Sequence, residues 1–232
     1  MLYGLNDLIE KWLKESDLLR LEHVVIAGQG ERLIGKKSPV SQVQDFLDLV
    51  PTYMNKIRTV HDTVIRGNVA EAKQVLTRKR FALSRDHLGA SPLHLAVLHA
   101  HWDVMAYIIT QFPETINGPD NEGRTPLHYA AVMTDAEKLF YKRLVESNAD
   151  PALNDKIGHS AEYYLLNPGV LTIRQLLENY MPPEEQHRYT NSAEVWRRPP
   201  TADIESRLTP TPDDSDSSMM SNVNHKHEVD AE

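Results

Sequence analysis

The chain has 232 residues, a formal net charge of −8 and no cysteine, which excludes disulfide frameworks and thiolate metal sites. Residues 182–232 hold 11 acidic and 5 basic side chains, so the remaining residues, with 22 acidic and 20 basic side chains, are nearly neutral. This distribution offers no basic surface for nucleic acid, and no apolar run approaches the roughly 18 residues of a membrane-spanning helix. We therefore expect no nucleic-acid partner and no membrane insertion.

Near the N-terminus, the stretch VVIAGQGERLIGKKS at residues 24–38 is close to a phosphate-binding loop. Gly30, four further residues, Gly35 and Lys36 match most of the pattern G-x-x-x-x-G-K-[ST]. Lys37, however, stands where the loop needs the hydroxyl that completes the Mg²⁺ shell, and Ser38 comes one residue late. A nucleotide-binding protein that uses Gly30 to Ser38 is therefore kept only as an alternative.

Residues 39–59 predict an inserted helix or linker. The stretch SQVQDFLDLVPTYMNKIR is typical of a helix, and Pro51 is expected to break or kink it because proline removes one backbone hydrogen bond. Such a helix, and not the parallel strands of a nucleotide-binding sheet, follows the stretch at residues 24–38.

Three residue types recur at intervals of 33 to 35 residues from residue 60 onward, which indicates a repeat protein. They are His61, His94 and His128; Asp86, Asp120 and Asp155; and Gly89, Gly123 and Gly158. The stretches DHLGASPLHLAV and DNEGRTPLHYAA match the pattern D-x-x-G-x-T-P-L-H-x-A at this period. On these residues the chain resembles the ankyrin-repeat family.

The resemblance implies an all-α fold, a helical solenoid with short hairpin loops. The repeated glycines suit a left-handed turn, and Ser91 and Thr125 can cap helices that begin at Pro92 and Pro126. In the family the repeated histidine bonds to the backbone and to the hydroxyl three residues earlier, so we expect a structural role for His94 and His128. No metal ligand, cofactor or catalytic residue is predicted.

Four regions follow from this alignment. Residues 1–38 are expected to form a degenerate ankyrin-like helix pair in which Val24, Val25 and Ile26 are buried and Gly28 or Gly30 ends the second helix. Residues 39–59 are the inserted helix or linker, and residues 60–181 are the repeat array with a C-terminal capping helix.

Residues 182–232 are expected to be a disordered acidic tail, because they are rich in Pro, Ser, Thr and Asp and poor in large apolar residues. Within the tail, possible kinase sites are Thr209, Thr211, Ser215 and Ser217. Trp196 stands alone in the stretch AEVWRRPP, which is a possible docking motif.

In the family, partners contact variable residues at the hairpin tips and on the first helices of the concave face. At these positions the chain has His87, Leu88, Ala90, Leu98, His99, Asn121, Glu122, Arg124, Val132, Met133, Lys156, Ile157 and His159. Leu88, Leu98, Val132, Met133 and Ile157 are apolar where the fold does not require it, which predicts a peptide-binding strip.

The resemblance therefore implies a non-catalytic protein interaction module, an intracellular adaptor or scaffold that binds another protein on its concave face. We expect it in the cytoplasm, with the nucleus left open. The stretches G-x-S-x-G and H-E-x-x-H are absent, as is any cysteine nucleophile. Besides the nucleotide-binding alternative, a self-associating structural protein whose N-terminal units pair remains open.

Overall fold

A computed structural model describes residues 4–134 and 138–180, and every regular element in these ranges is a helix. The helices are α1 (Leu5–Glu15), α2 (Leu18–Val24), α3 (Ser41–Arg66), α4 (Val69–Val75), α5 (Lys79–Ala82), α6 (Pro92–Leu98), α7 (Trp102–Gln111), α8 (Pro126–Ala131), α9 (Leu139–Glu146), α10 (Ala161–Leu166) and α11 (Ile173–Glu178). The all-α prediction is confirmed. None of the helices in the described ranges is long and apolar enough to cross a membrane.

The helices from α3 onward stack as two rows. The inner row contains α3, α6, α8 and α10, each in contact with the next, and the outer helices α4, α7 and α9 pack behind α3, α6 and α8 respectively. The outer row is joined by contacts between α4 and α7 and by the edge-on packing of Trp102 against Phe140, with ring centroids 5.4 Å apart. Each unit thus contacts its neighbours along the chain, as a solenoid requires.

The repeated aspartate and glycine shape the hairpins that precede α6, α8 and α10. Asp86 Oδ1 accepts hydrogen bonds from the backbone N–H groups of Leu88 at 2.9 Å and Ala90 at 2.8 Å, and Asp120 and Asp155 bind the equivalent groups. Gly89 lies inside this turn with φ +79°. A β-carbon at Gly89 would lie 2.5 Å from the backbone nitrogen of Asn121 in the next hairpin, so glycine is required for both conformation and space.

The repeated histidines connect one unit to the next. His94 Nδ1 accepts the backbone N–H of Ser91 at 3.1 Å and lies 2.8 Å from its hydroxyl oxygen, which closes the cap of α6. His94 Nε2 lies 2.9 Å from the carbonyl oxygen of Arg124, and His128 makes the same set of contacts with Thr125 and His159. The expected structural role of both histidines is confirmed.

Residues 4–38 form a helix pair that packs against α3, at the N-terminal end of the stack. Val24 and Val25 are buried and Ile26 is partly buried, and Gly28, with φ +76°, ends the helical segment that follows α2. The carbonyl oxygen of Ile26 accepts the backbone N–H of Arg85 at 2.8 Å, so this pair is held against the first hairpin.

The helix α3 differs from its sequence prediction. It continues through Pro51 as one helix of 26 residues and crosses the boundary drawn between residues 59 and 60. Pro51 is exposed, whereas Leu47 and Val50 before it and Ile57 after it are buried in the same apolar cluster as α1 and α2. Packing on both sides of the proline keeps the helix intact despite the lost hydrogen bond.

The helix α11 also differs. It was expected to close the stack beyond α10, but it contacts α6, two inner helices away. The chain turns back through Gly169, which has φ +101°, and Leu171, Leu176 and Leu177 are buried. The tail, its four possible kinase sites at Thr209, Thr211, Ser215 and Ser217, and the possible docking motif around Trp196 lie outside the described residues.

Candidate functional site

A groove of about 510 Å³ lies on the inner side of the stack, where the N-terminal helix pair, α3, α6 and the first hairpin meet. Helix α3 lines it with a stripe at helical spacing that includes Met54, Ile57, Arg58, Asp62 and Ile65. Leu95 of α6 and His99, the residue that follows α6, complete the floor. The residue Tyr180, beyond α11, lines one wall.

The groove combines an apolar floor with charged edges. Ile57 and Leu95 are buried beneath it, whereas Glu31, Arg58 and Asp62 are exposed. Exposed charges of both signs beside an apolar surface suit a peptide that carries apolar and charged side chains. They favour peptides in which the positive and negative side chains come in the matching order.

His99 contributes a polar atom that has no partner in the described part of the chain. Its Nε2 is fully enclosed and makes no hydrogen bond there, and its ring stacks on His101 with centroids 6.1 Å apart. Burial, together with the neighbouring His101, lowers the pKa of His99 to about 4. The ring is therefore neutral near pH 7, so one of its nitrogens is a donor and the other an acceptor.

The residues predicted for partner binding fall into three groups. Those whose side chains are exposed lie at the hairpin tips: His87, Asn121, Glu122, Lys156 and Ile157. Those that are half-buried lie beside the tips or at helix ends: Leu88, His99, Arg124, Val132 and His159. The structure brings His87 and His99 to the groove itself.

The third group corrects the prediction, because Ala90, Leu98 and Met133 are buried. Helix α6, which ends at Leu98, is enclosed by α3, α7, α8 and α11, and all seven of its residues are buried. Met133 follows α8, where Lys138 Nζ folds over it and donates to its carbonyl oxygen. Of the predicted apolar strip, only Ile157 has a largely exposed side chain, at 66%.

Some of the exposed residues also hold the hairpins together. The side-chain amide of Asn121 donates to the carbonyl oxygen of His87 at 3.1 Å, and its backbone N–H donates to that of Leu88 at 2.9 Å. In the next pair of hairpins, the backbone N–H of Lys156 donates to the carbonyl oxygen of Glu122 at 2.9 Å. The row of tips is therefore a preorganised surface, which lowers the entropic cost of binding.

The sequence-based prediction missed the α3 stripe and Tyr180. The stripe follows helical spacing through residues 54, 58, 62 and 65, a signal present in the sequence but divided between the predicted insertion at 39–59 and the predicted repeat array at 60–181. No local pattern marks Tyr180, because its role depends on a contact with Asp86, 94 residues earlier in the chain.

The stretch at residues 24–38 does not have the geometry of a phosphate loop. Helical residues precede it where a strand is required, and Gly30–Leu33 is a short 3-10 turn. Lys36, the residue that would bind phosphate, forms an ion pair with Glu10 of α1 at 2.5 Å. This segment packs the N-terminal helix pair against α3, with Leu33 buried in their shared core.

Comparison with known proteins agrees with the repeat seen in the structure. Residues 60–155 match the family model described as ankyrin repeats (3 copies). Over 96 residues the chain is 30% identical to the "Ankyrin repeat protein nuc-2" of Neurospora crassa. The match covers 41% of this chain and 9% of that relative, so this chain spans only a small part of the relative's length.

Proposed function

Because the chain is an ankyrin-repeat protein, with repeats over residues 60–155, we propose that it is a non-catalytic adaptor that binds another protein on the inner face of its stack. Ankyrin repeats are generally protein interaction modules, and the family is generally non-catalytic. We place the adaptor in the cytoplasm. We propose a protein and not a nucleic acid as its partner, because residues 1–181 are nearly neutral, with 22 acidic and 20 basic side chains.

The open groove between α3, α6 and the first hairpin is the observation that supports this proposal. It has the apolar floor and charged edges of a peptide site, and the row of hairpin tips extends it along the stack. His87 belongs to both the groove and the row of tips, so a bound segment that enters the groove can continue over Asn121 and Glu122 toward Lys156 and Ile157.

A charge-reversal pair in the groove tests the proposal with a matched control. Arg58→Glu with Asp62→Lys reverses two exposed charges one helical turn apart in α3 and leaves the net charge unchanged. Lys142→Glu with Glu146→Lys does the same on the outer helix α9. Both pairs are exposed, so both variants should fold as the original chain does.

The measurement is quantitative affinity capture from cell extract with the full-length chain and the two variants. We expect proteins that bind the original chain and the α9 variant but are lost with the α3 variant, since like charges across an interface weaken binding. A set of captured proteins that is the same for all three chains would contradict the inner face as the binding site.

Self-association through the N-terminal unit is a different hypothesis, and the same variants separate it from partner binding. Light scattering across a concentration series measures the mass of each chain alone. A mass that stays constant with concentration, together with groove-dependent capture of other proteins, supports an adaptor. A rise in mass that the α3 variant abolishes would instead make the groove a surface for self-association.

A further inference from the structure

The three hairpin aspartates have a second carboxylate oxygen that the turn does not use. In the second and third hairpins this oxygen accepts a tyrosine hydroxyl nine residues further along the chain. Tyr129 donates to Asp120 Oδ2 at 2.9 Å, and Tyr164 donates to Asp155 Oδ2 at 2.6 Å. Each tyrosine is buried in the inner helix of its own repeat. The hydroxyl group thus completes the hairpin from within the unit.

The first hairpin lacks this internal partner. The residue nine positions after Asp86 is Leu95, which occupies the place of Tyr129 and Tyr164 in the repeat and has no donor. Asp86 Oδ2 would remain without the hydroxyl that the other two aspartates receive. A hydrogen-bond donor stabilises a carboxylate oxygen in a partly buried turn. In the first repeat, Asp86 Oδ2 has no such donor from its own inner helix.

Tyr180 supplies the missing hydroxyl from the far end of the described chain. Its OH group donates to Asp86 Oδ2 at 3.0 Å, and its ring packs edge-on against His87 with centroids 5.9 Å apart. Burial and the charge of Asp86 raise the pKa of Tyr180, which keeps the hydroxyl protonated as a donor. Tyr180 thus makes the contact that tyrosines within the repeat make elsewhere.

The helix before Tyr180 covers the same repeat. Helix α11 contacts α6, which also contacts α3, α7 and α8, and Tyr180 beyond α11 lines the inner groove. Leu176 and Leu177 are buried, while Arg174 and Gln175 are exposed. The link to α10 consists of the exposed residues 167–170, including Gly169. Within residues 171–180, Leu171, Leu176 and Leu177 are buried, and Tyr180 adds the hydrogen bond to Asp86 and the ring contact with His87.

We propose that the inner face of the first repeat is a docking site for a short helix with two adjacent leucines followed by a tyrosine, and that residues 171–180 fill this site within the same chain. A partner segment of the same chemistry, leucine pair and hydroxyl donor included, competes with α11 for α6 and Asp86. Competition with a partner rests on the proposed function, because the docked segment covers part of the proposed binding face. The docking of residues 171–180 within the chain does not depend on any partner.

A peptide of residues 168–180 with a fluorescent label tests the site directly. We expect weak binding to the full-length chain, because the site is already filled, and strong binding to a full-length variant with Leu176→Asp and Leu177→Asp. Adding Leu95→Tyr to that variant gives Asp86 an internal hydroxyl and should lower the affinity for the peptide about tenfold or more. A peptide with Tyr180→Phe should lose affinity to a similar extent. Equal binding to the original chain and the leucine variant would overturn the proposal.

The position of the segment can be measured without any ligand. Since the chain has no cysteine, Gln111→Cys and Asn179→Cys introduce two unique sites for spin labels at exposed positions. We expect one narrow distance in the original background, a broad and longer distribution with Leu176→Asp and Leu177→Asp, and no change with the matched control Tyr164→Phe. An unchanged distance in the leucine variant would contradict docking through α11.

A mixture of chains labelled at one site each distinguishes docking within a chain from exchange between two copies. No distance between labels is expected in the mixture. A distance there would overturn docking within the chain in favour of exchange. If the peptide and the labels behave as expected but affinity capture finds no groove-dependent partner, the docking site stands and the adaptor function fails. The two proposals can therefore fail separately.

Discussion

The Nε2 atom of His94 lies 2.9 Å from the carbonyl oxygen of Arg124, so one buried side chain joins two consecutive repeats across 30 residues of sequence. The other nitrogen of the same ring closes the cap at Ser91. Since His128 makes the same contacts, α6 and α8 are each tied both to their own cap and to the hairpin of the next repeat. Neighbouring repeats gain stability from each other in this way.

Replacement of His94 by alanine should lower the free energy of unfolding by about 2–4 kcal/mol, because it leaves a cavity and two buried backbone groups without partners. The exposed His23→Ala in α2 is the control and should change the free energy by less than about 0.5 kcal/mol. Urea denaturation of both variants measures the difference. Equal effects would contradict the role of His94 as a link between repeats.

The stability should depend on pH through His94. Burial and, to a smaller extent, the charge of Arg85 lower the pKa of His94 to about 3 from an ordinary value of 6.5. The folded chain keeps this ring neutral while the unfolded chain binds a proton, so the stability is fully present above pH 6.5 and falls as the pH falls toward 3. The slope from this group alone is about 1.4 kcal/mol per pH unit.

Denaturation curves at pH values between 6.5 and about 4 check this expectation. The variant His94→Gln should be less stable and should also show a shallower dependence on pH. The variant Ser91→Ala loses the cap but keeps the histidine, so it should be less stable with the slope unchanged. The prediction would be wrong if His94→Gln left the slope as it is in the original chain.

Alanine at Gly89 should be much more harmful than alanine at Gly158, although both glycines occupy the same turn position. Both have left-handed φ values, +79° and +86°, and each substitution costs about 1–2 kcal/mol for that reason. A β-carbon at Gly158 meets nothing within 4 Å, whereas one at Gly89 overlaps the backbone of Asn121. We expect a loss of about 3 kcal/mol or more for Gly89→Ala, measured by thermal or urea unfolding.

Glycine at Ala100 should stabilise the chain. Ala100 follows α6 with φ +56°, a conformation that is unfavourable for alanine, and Gly67 has the equivalent place after α3 with φ +75°. The strain relieved is about 1–2 kcal/mol, and the added freedom of the unfolded chain offsets about 0.5–1 kcal/mol of it. The melting temperature of Ala100→Gly should rise. A fall would show that this turn does not carry the inferred strain.

The sequence predicted the fold because each repeat encodes its own local structure. The aspartate, glycine, cap and histidine are close together in the chain and make their first contacts within ten residues, so their spacing is enough to place α6 and α8. The helix pair within residues 1–38 was predicted by aligning that region with the repeat that begins near residue 60, and of the two expected ends, Gly28 or Gly30, the structure has Gly28.

The exposure of the proposed site could not be predicted in the same way. Ala90, Leu98 and Met133 occupy repeat positions that face the partner in the family, but here they are buried. For Leu98 the cause is the enclosure of α6, in which α11 is one of four neighbours. The repeat pattern in the sequence does not indicate that a distant segment such as α11 folds back onto α6.

What the sequence alone determined is therefore the repeating unit: a solenoid of helix pairs joined by aspartate and glycine turns. Only the tertiary structure decided that α3 is a single helix through Pro51 and that α11 returns to the first repeat, where Tyr180 replaces the hydroxyl that Leu95 lacks. The physical reason is the range of the interactions. The hydrogen bonds of turns and caps are made with neighbours in the chain. The position of α11, by contrast, depends on a contact between Tyr180 and Asp86, which is 94 residues earlier.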